Sequence, residues 1–231
     1  MPLLTRPSDT VPGPAGDAAS ALAGADTASA ELDLPVEERE ALLDLARAAV
    51  RVAVGKLPMW ALRGTVVRAA PDRRGAAFVT LTADGLLRGC MGSLDTRRPL
   101  GEAVADAALC AALDDPRFEP LGVSELPAIH IDVSVLAPAR PYRGAGDFTA
   151  GLDGVTIEGL GHRALLLPEV ATEFDWGADE MFEAVRRKAG LPADAWLRPE
   201  VRLATFRTCR FGGMALPGTE ASAHGRTRRS R

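Results

Sequence analysis

The feature that most constrains this fold is a predicted β-hairpin in the first half of the chain. Residues 76–82 are rich in β-forming side chains, and residues 86–92 supply a second apolar segment of strand length. Asp84 and Gly85 lie between the two segments, and a two-residue hairpin turn needs the positive φ angles that these residue types tolerate. The sequence therefore predicts two antiparallel strands joined by a tight turn.

The second strand of this hairpin carries a cysteine two residues after an arginine. A two-residue turn pairs Val79 with Cys90 and Leu81 with Arg88, so that Arg88 and Cys90 share one face of the strand. A cation beside a thiol stabilises the reactive thiolate, which makes Cys90 a candidate nucleophile. The same face carries apolar neighbours, and free cysteine often packs as a small hydrophobic residue, so a core role for Cys90 stays open.

Two further properties of this strand point to a binding site. Gly89 and Gly92 flank Cys90 and would let a ligand or another backbone approach closely. Arg88 places a charge on an otherwise apolar face, so a carboxylate or an anionic ligand is expected near it.

The remaining elements predict an α+β fold with a largely antiparallel sheet flanked by helices, since strands and helices occur without a regular βαβ repeat. Apolar periodicity predicts helices from Pro35 to Gly55, at Pro99–Leu113, and at Asp179–Ala189, where Gly190 ends the helix. It predicts strands at Ile129–Leu136, Val155–Glu158, His162–Leu167 and Val201–Phe211, with Gly159, Leu160 and Gly161 joining the second to the third.

One predicted strand alternates cleanly between apolar and polar positions. His130, Asp132 and Ser134 occupy its polar face. His130 and Asp132 are compatible with an acid–base pair, but the solvated side of a half-buried sheet explains them equally and is the commoner arrangement.

Composition restricts the classes of partner. The chain has 231 residues and a net charge of −4, which gives no electrostatic reason to expect nucleic acid. No apolar run approaches the roughly 20 residues that span a bilayer, and no signal peptide is recognisable, so we expect no membrane association and a cytoplasmic location. Residues 1–34 and 217–231 lack periodicity and are predicted to be disordered tails, the second one basic, around a domain at 35–216.

The cysteines and glycines match no cofactor motif. The chain has an odd number of cysteines, and they lie far apart in the sequence, at Cys90, Cys110 and Cys209. This predicts three free thiols in a reducing compartment. Neither zinc-ligand spacing nor a nucleotide-binding glycine fingerprint is present, so no metal site and no cofactor is predicted.

Several ordered blocks together resemble the AMMECR domain family, over about residues 36–211. The blocks that carry the resemblance are residues 87–94, 98–100, 115–121, 125–127, 132–136, 165–171 and 187–192. The bacterial branch of this family is called AmmeMemoRadiSam system protein A.

The resemblance implies an α+β fold with a main lobe, a smaller second lobe and a cleft near the Arg-Gly-Cys strand. The resemblance also implies that this protein works together with a Memo-like protein and a radical-SAM protein. Transferred position by position, the motif residues are Arg88, Gly89, Cys90, Gly92, Asp115, Arg117, Phe118, Ser134 and Pro168. We take Cys90 as the catalytic candidate, and Arg88, Gly89, Gly92, Asp115, Arg117 and Ser134 as ligand-binding candidates.

The Asp115–Phe118 block also has a direct physical interpretation. Asp115 precedes a proline and should end the preceding helix, and Phe118 would anchor the loop in the core. Arg117 is then available either to pair with Asp115 or to bind an anion.

Two functions fit these observations. The first is an accessory component of a modification system that binds a small anionic molecule or a protein partner. The alternative is a cysteine-dependent enzyme in which Cys90 acts on a small anionic or carbonyl substrate. Thiol reactivity separates them, since catalysis needs a base or strong cation near Cys90 and access to solvent.

Overall fold

A computed structural model describes residues 34–55, 58, 62–70 and 72–215 of the chain. The predicted tails at 1–34 and 217–231 lie outside these ranges, apart from Leu34. Leu34 is fully buried in the core, and its carbonyl accepts a hydrogen bond from Nε of Arg39. The ordered packing therefore includes at least one residue before the predicted boundary.

The described elements form the predicted α+β fold, with one curled antiparallel sheet of strand order β2-β1-β3-β7-β5-β6 and a short β4 that also pairs with β7. Within the described residues, the α-helices are α1 Val36–Val54, α2 Arg63–Arg68, α3 Leu100–Leu113, α4 Pro168–Phe174 and α5 Ala178–Lys188. The strands are β1 Ala76–Ala83, β2 Leu86–Ser93, β3 Ile129–Leu136, β4 Arg140–Pro141, β5 Asp153–Gly159, β6 His162–Leu166 and β7 Arg202–Met214.

The main lobe packs α1 and α3 against one face of β1, β2 and β3. Leu42, Leu45 and Val50 of α1 lie in the same buried cluster as the alternate apolar positions of β1 and β3. Glu37 and Glu38 stand in the first turn of α1, where they oppose the positive end of the helix dipole. The predicted alternation of β3 is confirmed, with Ile131 and Val133 fully buried on the core face.

The smaller lobe packs α4 and α5 against β5 and β6 around its own apolar cluster. Ile157, Met181 and Val185 are fully buried there. The predicted turn between β5 and β6 is confirmed, because Leu160 and Gly161 both have positive φ angles of 54° and 79°. The predicted end of α5 is also confirmed, with Gly190 at φ 69°.

Strand β7 belongs to both lobes. Its first half, from Arg202 to Arg207, pairs with β5, and its second half, from Thr208 to Met214, pairs with β3. One continuous strand therefore fixes the smaller lobe against the main sheet.

The register of the β1–β2 hairpin differs from the predicted one. The turn at Asp84 and Gly85 is as predicted, with φ angles of 50° and 78°. However, the register shifts after Leu81, and Arg88 becomes the extra residue of a β-bulge. From that point the pairing moves by one residue, and Cys90 lies opposite Thr80 instead of Val79.

Gly89 explains how helix α3 approaches β2 so closely. A Cβ at this position would lie 2.1 Å from the backbone oxygen of Ala111 in α3. The second backbone that the sequence predicted near Gly89 is therefore the helix of the same lobe.

We predict that Gly89→Ala lowers the free energy of unfolding by about 3 kcal/mol, because the methyl group meets backbone instead of a movable side chain. Urea denaturation of the full chain measures this loss. The control is Gly146→Ala, whose Cβ would meet nothing within 4 Å and which should change stability by less than about 1 kcal/mol. Equal losses in the two variants would contradict the close approach.

Candidate functional site

The bulge at Arg88 places Cys90 on the polar face of the sheet, away from the apolar core of β1 and β3. Its cross-strand partner is Thr80, and the Thr80 hydroxyl donates a hydrogen bond to Cys90 Sγ over 3.3 Å. Cys90 is half-buried, so its thiol is neither fully exposed nor sealed in the core. The expectation that Cys90 shares a face with Val79 and Leu81 is wrong, because one extra residue in β2 reverses the faces.

Side chains of the loop after α3 hold the backbone of Cys90. Strand β2 is the outer strand of the sheet, so the Cys90 amide and carbonyl on its free edge have no neighbouring strand. The Cys90 amide donates to Asp115 Oδ2 over 2.8 Å, and Arg117 Nη2 donates to the Cys90 carbonyl over 3.4 Å. Both backbone groups of the candidate nucleophile are thus bound by one loop.

Asp115 and Arg117 also bind each other. Arg117 donates to both carboxylate oxygens of Asp115, over 2.9 and 2.7 Å, and Asp115 is buried. Burial alone would raise the pKa of Asp115, but hydrogen bonds from Arg117 and from the Cys90 amide hold that pKa below its ordinary value. Of the two roles open to Arg117, the structure shows the ion pair with Asp115.

Arg88 has the carboxylate partner that the sequence required. Its guanidinium donates to both oxygens of Glu125, over 2.8 and 3.2 Å, and this hydrogen bonding lowers the pKa of Glu125. The Phe118 ring lies between the two arginines of the site, 5.9 Å from the Arg88 guanidinium and 5.4 Å from that of Arg117. Neither arginine therefore presents an uncompensated charge to a ligand.

A third cation lies near Cys90 and has no ion pair within the described part of the chain. This residue is Lys188, in the last turn of α5 in the smaller lobe, within electrostatic range of both Cys90 and Arg117. Although the residue as a whole is exposed, the protein around its ammonium lowers the Lys188 pKa. Negative charge on Cys90 acts to raise that pKa, and the positive charge of Arg117 acts to lower it further.

Sequence reasoning placed Lys188 in a family block without giving it a role. Its helical position was predictable, but the approach of α5 to the edge of β2 depends on how the two lobes pack. Glu125 was likewise part of a block, and only the tertiary structure brings it to Arg88 across 37 positions of sequence.

The other predicted site residues lie on or beside the polar face. A Cβ at Gly92 would lie 2.4 Å from the Phe78 ring, so this glycine makes room for an aromatic side chain. Ser134 is buried opposite Phe78 in β3. His130 Nδ1 lies 3.4 Å from Asp132 Oδ2, on the same face as Thr80. Direct ligand contact by Gly89, Gly92 or Ser134 stays a prediction.

A cavity of about 320 Å³ lies elsewhere, on the surface of α5. It is lined by Trp176, Asp179, Glu180, Glu183 and Arg187, so none of the predicted site residues contributes to it. The cleft expected beside Cys90 therefore stays a prediction.

The other two thiols differ from Cys90 in their surroundings. All three cysteines are free, as predicted. Burial, together with the nearby Asp114 carboxylate, raises the pKa of the Cys110 thiol, and Cys209 packs against the main core. Within the described residues, no group of three or more His, Cys, Asp or Glu side chains could hold a metal ion.

We predict that iodoacetamide labels Cys90 in the folded protein about five times faster than Cys110, because the Cys110 thiolate is disfavoured. Lys188→Met should slow labelling of Cys90 about threefold near neutral pH, because it removes a positive charge beside the anionic form of the thiol. The lysine is charged only below its lowered pKa, so this difference should disappear as pH rises through that value. Mass spectrometry of the alkylated peptides measures each rate.

The control for this experiment is Arg187→Met, which removes a positive charge from the adjacent, exposed position of α5. We expect it to leave the labelling of Cys90 unchanged. A Cys90 that remains unlabelled in the folded protein would contradict the reactive site altogether.

Comparison with known proteins agrees with this fold. A crystal structure of an uncharacterised protein from Pyrococcus horikoshii, PH0010, matches with a TM-score of 0.67 and 32% identity, covering 78% of this chain and 93% of that one. A protein from Methanothermobacter thermautotrophicus is 42% identical over 146 residues, which are 61% of this chain and 76% of that protein. A protein from Methanocella arvoryzae is 38% identical over 156 residues, which are 64% and 76% of the two chains.

The family comparison covers both lobes of the structure. A family model described as AMMECR1 matches residues 43–211, from within α1 to the second half of β7. This match includes Cys90, Thr80, Asp115, Arg117 and Lys188. Because it extends over well more than half of the 231 residues, the chain belongs to the AMMECR1 family.

Proposed function

We propose that this protein binds a small anionic or carbonyl ligand at Cys90, as an accessory component of a modification system that includes Memo-like and radical-SAM proteins. The observation that carries the ligand site is the position of Cys90 on the polar face, with its backbone bound by Asp115 and Arg117 and its thiol bound by Thr80. A cysteine that served only as packing would lie on the apolar face of the sheet, with no hydroxyl bound to its thiol.

The charge expected on the ligand follows from the cations at the site. Arg88 and Arg117 are neutralised by Glu125 and Asp115, whereas Lys188 has no ion pair among the described residues. An anionic or strongly polarised group is therefore the favourable neighbour for the Lys188 ammonium. Lys188 takes the anion-binding role that the sequence suggested for the arginines.

The proposed partners rest on resemblance. The chain belongs to the AMMECR1 family, and its ordered blocks resemble the bacterial branch that works with Memo-like and radical-SAM proteins. The few polar groups around Cys90 also favour a role in which another protein supplies part of the chemistry. No helix within the described residues is both long and apolar enough to cross a bilayer.

A second candidate is a cysteine-dependent enzyme, favoured by the combination of Thr80 and Lys188 around one thiol. In this scheme the thiolate of Cys90 attacks a carbonyl carbon and forms a C–S bond. The electron pair of the carbonyl moves to its oxygen, which takes up a proton. Desolvation lowers the Lys188 pKa, which makes its amine a better acceptor for the thiol proton and its ammonium a better donor to the carbonyl oxygen.

Glyoxylate tests both candidates, because it carries a carboxylate beside an aldehyde. We expect it to slow iodoacetamide labelling of Cys90 but not of Cys110, and to do so less in Lys188→Met. Equal protection by acetate supports binding without covalent chemistry, and stronger protection by glyoxylate, with a matching mass on Cys90, supports the nucleophile. If neither compound protects Cys90, the proposed anion site is wrong.

Purification of the tagged full chain from its native host tests the partners. We expect mass spectrometry to find a Memo-like protein and a radical-SAM protein enriched over an untagged control extract. Enrichment of neither would contradict the proposed accessory role and leave the ligand site to be judged by the glyoxylate experiment.

A further inference from the structure

The polar face that carries Cys90 continues across the sheet to a second group of charged residues. Thr80 lies opposite Cys90 on one side and opposite Asp132 on the other. Neighbouring strands are about 4.8 Å apart, so the Cα atoms of Cys90 and Asp132 are separated by roughly 10 Å. Gly212 follows in the same row, and a Cβ there would lie 2.4 Å from Asp132 Oδ1, so the glycine leaves space for this carboxylate.

One guanidinium joins two carboxylates at this end of the face. Arg210 Nη2 donates to Asp132 Oδ2 over 2.9 Å, and Arg210 Nη1 lies 3.4 Å from Glu169 Oε1. Asp132 is mostly buried in the main sheet, whereas Glu169 comes from α4 of the smaller lobe. Two negative charges on one positive charge leave the cluster with a net charge of about −1.

Glu169 has an oxygen that this cluster does not satisfy. Its Oε2 is buried and accepts no hydrogen bond within the described residues. An unsatisfied buried carboxylate oxygen costs free energy, and such oxygens in native proteins are normally matched by a donor. The negative charge of the cluster favours a cationic donor over a neutral one.

We propose that Asp132, Arg210 and Glu169 form the second end of the ligand site and bind an ammonium group of the ligand, with Glu169 Oε2 as acceptor. The ligand is then a short molecule with an anionic or carbonyl group at Cys90 and Lys188, and an amine at the Asp132 end of the polar face, beyond Thr80. This inference rests on the proposed ligand site at Cys90 and adds the chemical class of the ligand.

Two methanethiosulfonates that differ only in charge test the inference on the full chain. The 2-aminoethyl reagent carries an ammonium and the methyl reagent is neutral. Each is attacked by the Cys90 thiolate, forms a mixed disulfide and releases methanesulfinate. At one fixed pH, the ratio of the two rates at Cys90 reports the electrostatic potential at the thiol.

We expect Glu169→Gln to lower this ratio, by up to about threefold, because it removes one negative charge from the cluster around Arg210. The matched control is Glu183→Gln, since Glu183 is also a carboxylate bound to an arginine, Arg186, but lies on α5. It should leave the ratio unchanged, and because both reagents react with the same thiolate, the ratio removes any change in the amount of thiolate. Glu169→Asp, which keeps the charge, should retain the wild-type ratio.

An unchanged ratio in Glu169→Gln, or an equal fall in Glu183→Gln, would overturn the inference while leaving the anion site at Cys90 intact. A fall of the ratio in Glu169→Asp equal to that in Glu169→Gln would also overturn it, because it would assign the effect to packing between the lobes. If neither reagent labels Cys90 in the folded protein, the proposed ligand site fails, and this inference fails with it.

Discussion

The candidate site depends on the hydrogen bonds that the backbone amide and carbonyl of Cys90 make at the free edge of β2. An outer strand exposes amide and carbonyl groups that must find partners, and here one ion pair with a buried carboxylate supplies both. Asp115 accepts from the Cys90 amide, Arg117 donates to the Cys90 carbonyl, and the two side chains bind each other. The same contacts fix where Cys90 lies relative to Thr80 and to the smaller lobe.

The two arginines of the family motif are therefore held in ion pairs, and the charge that we propose to face a ligand lies elsewhere. Arg88 joins β2 to the 3₁₀ helix Val123–Ala128 through Glu125, and Arg117 joins the loop after α3 to β2. Once these pairs are formed, Lys188 of α5 is the cation near Cys90 without an ion pair among the described residues. The site is thus assembled from both lobes, with the thiol on one and the cation on the other.

Local sequence signals predicted most of the fold. The Asp84-Gly85 turn, the alternation of β3 and the glycine after α5 each reflect interactions between neighbours in sequence, and the structure confirms all three. The β-bulge at Arg88 was not predictable in this way, because alternation alone does not show where one extra residue enters a strand. Lys188 and Glu125 were missed for a related reason, since their roles depend on packing between distant segments.

Strand β7 has a mechanical consequence for the site. Its two halves pair with β5 of the smaller lobe and β3 of the main lobe without interruption, so the lobes share one rigid backbone ladder. A hinge opening between the lobes would have to break that ladder within β7, where Phe206 is almost completely buried. Access to Cys90 is therefore governed by local rearrangement of side chains and loops, and the geometry between Cys90 and the smaller lobe is preset before any ligand arrives.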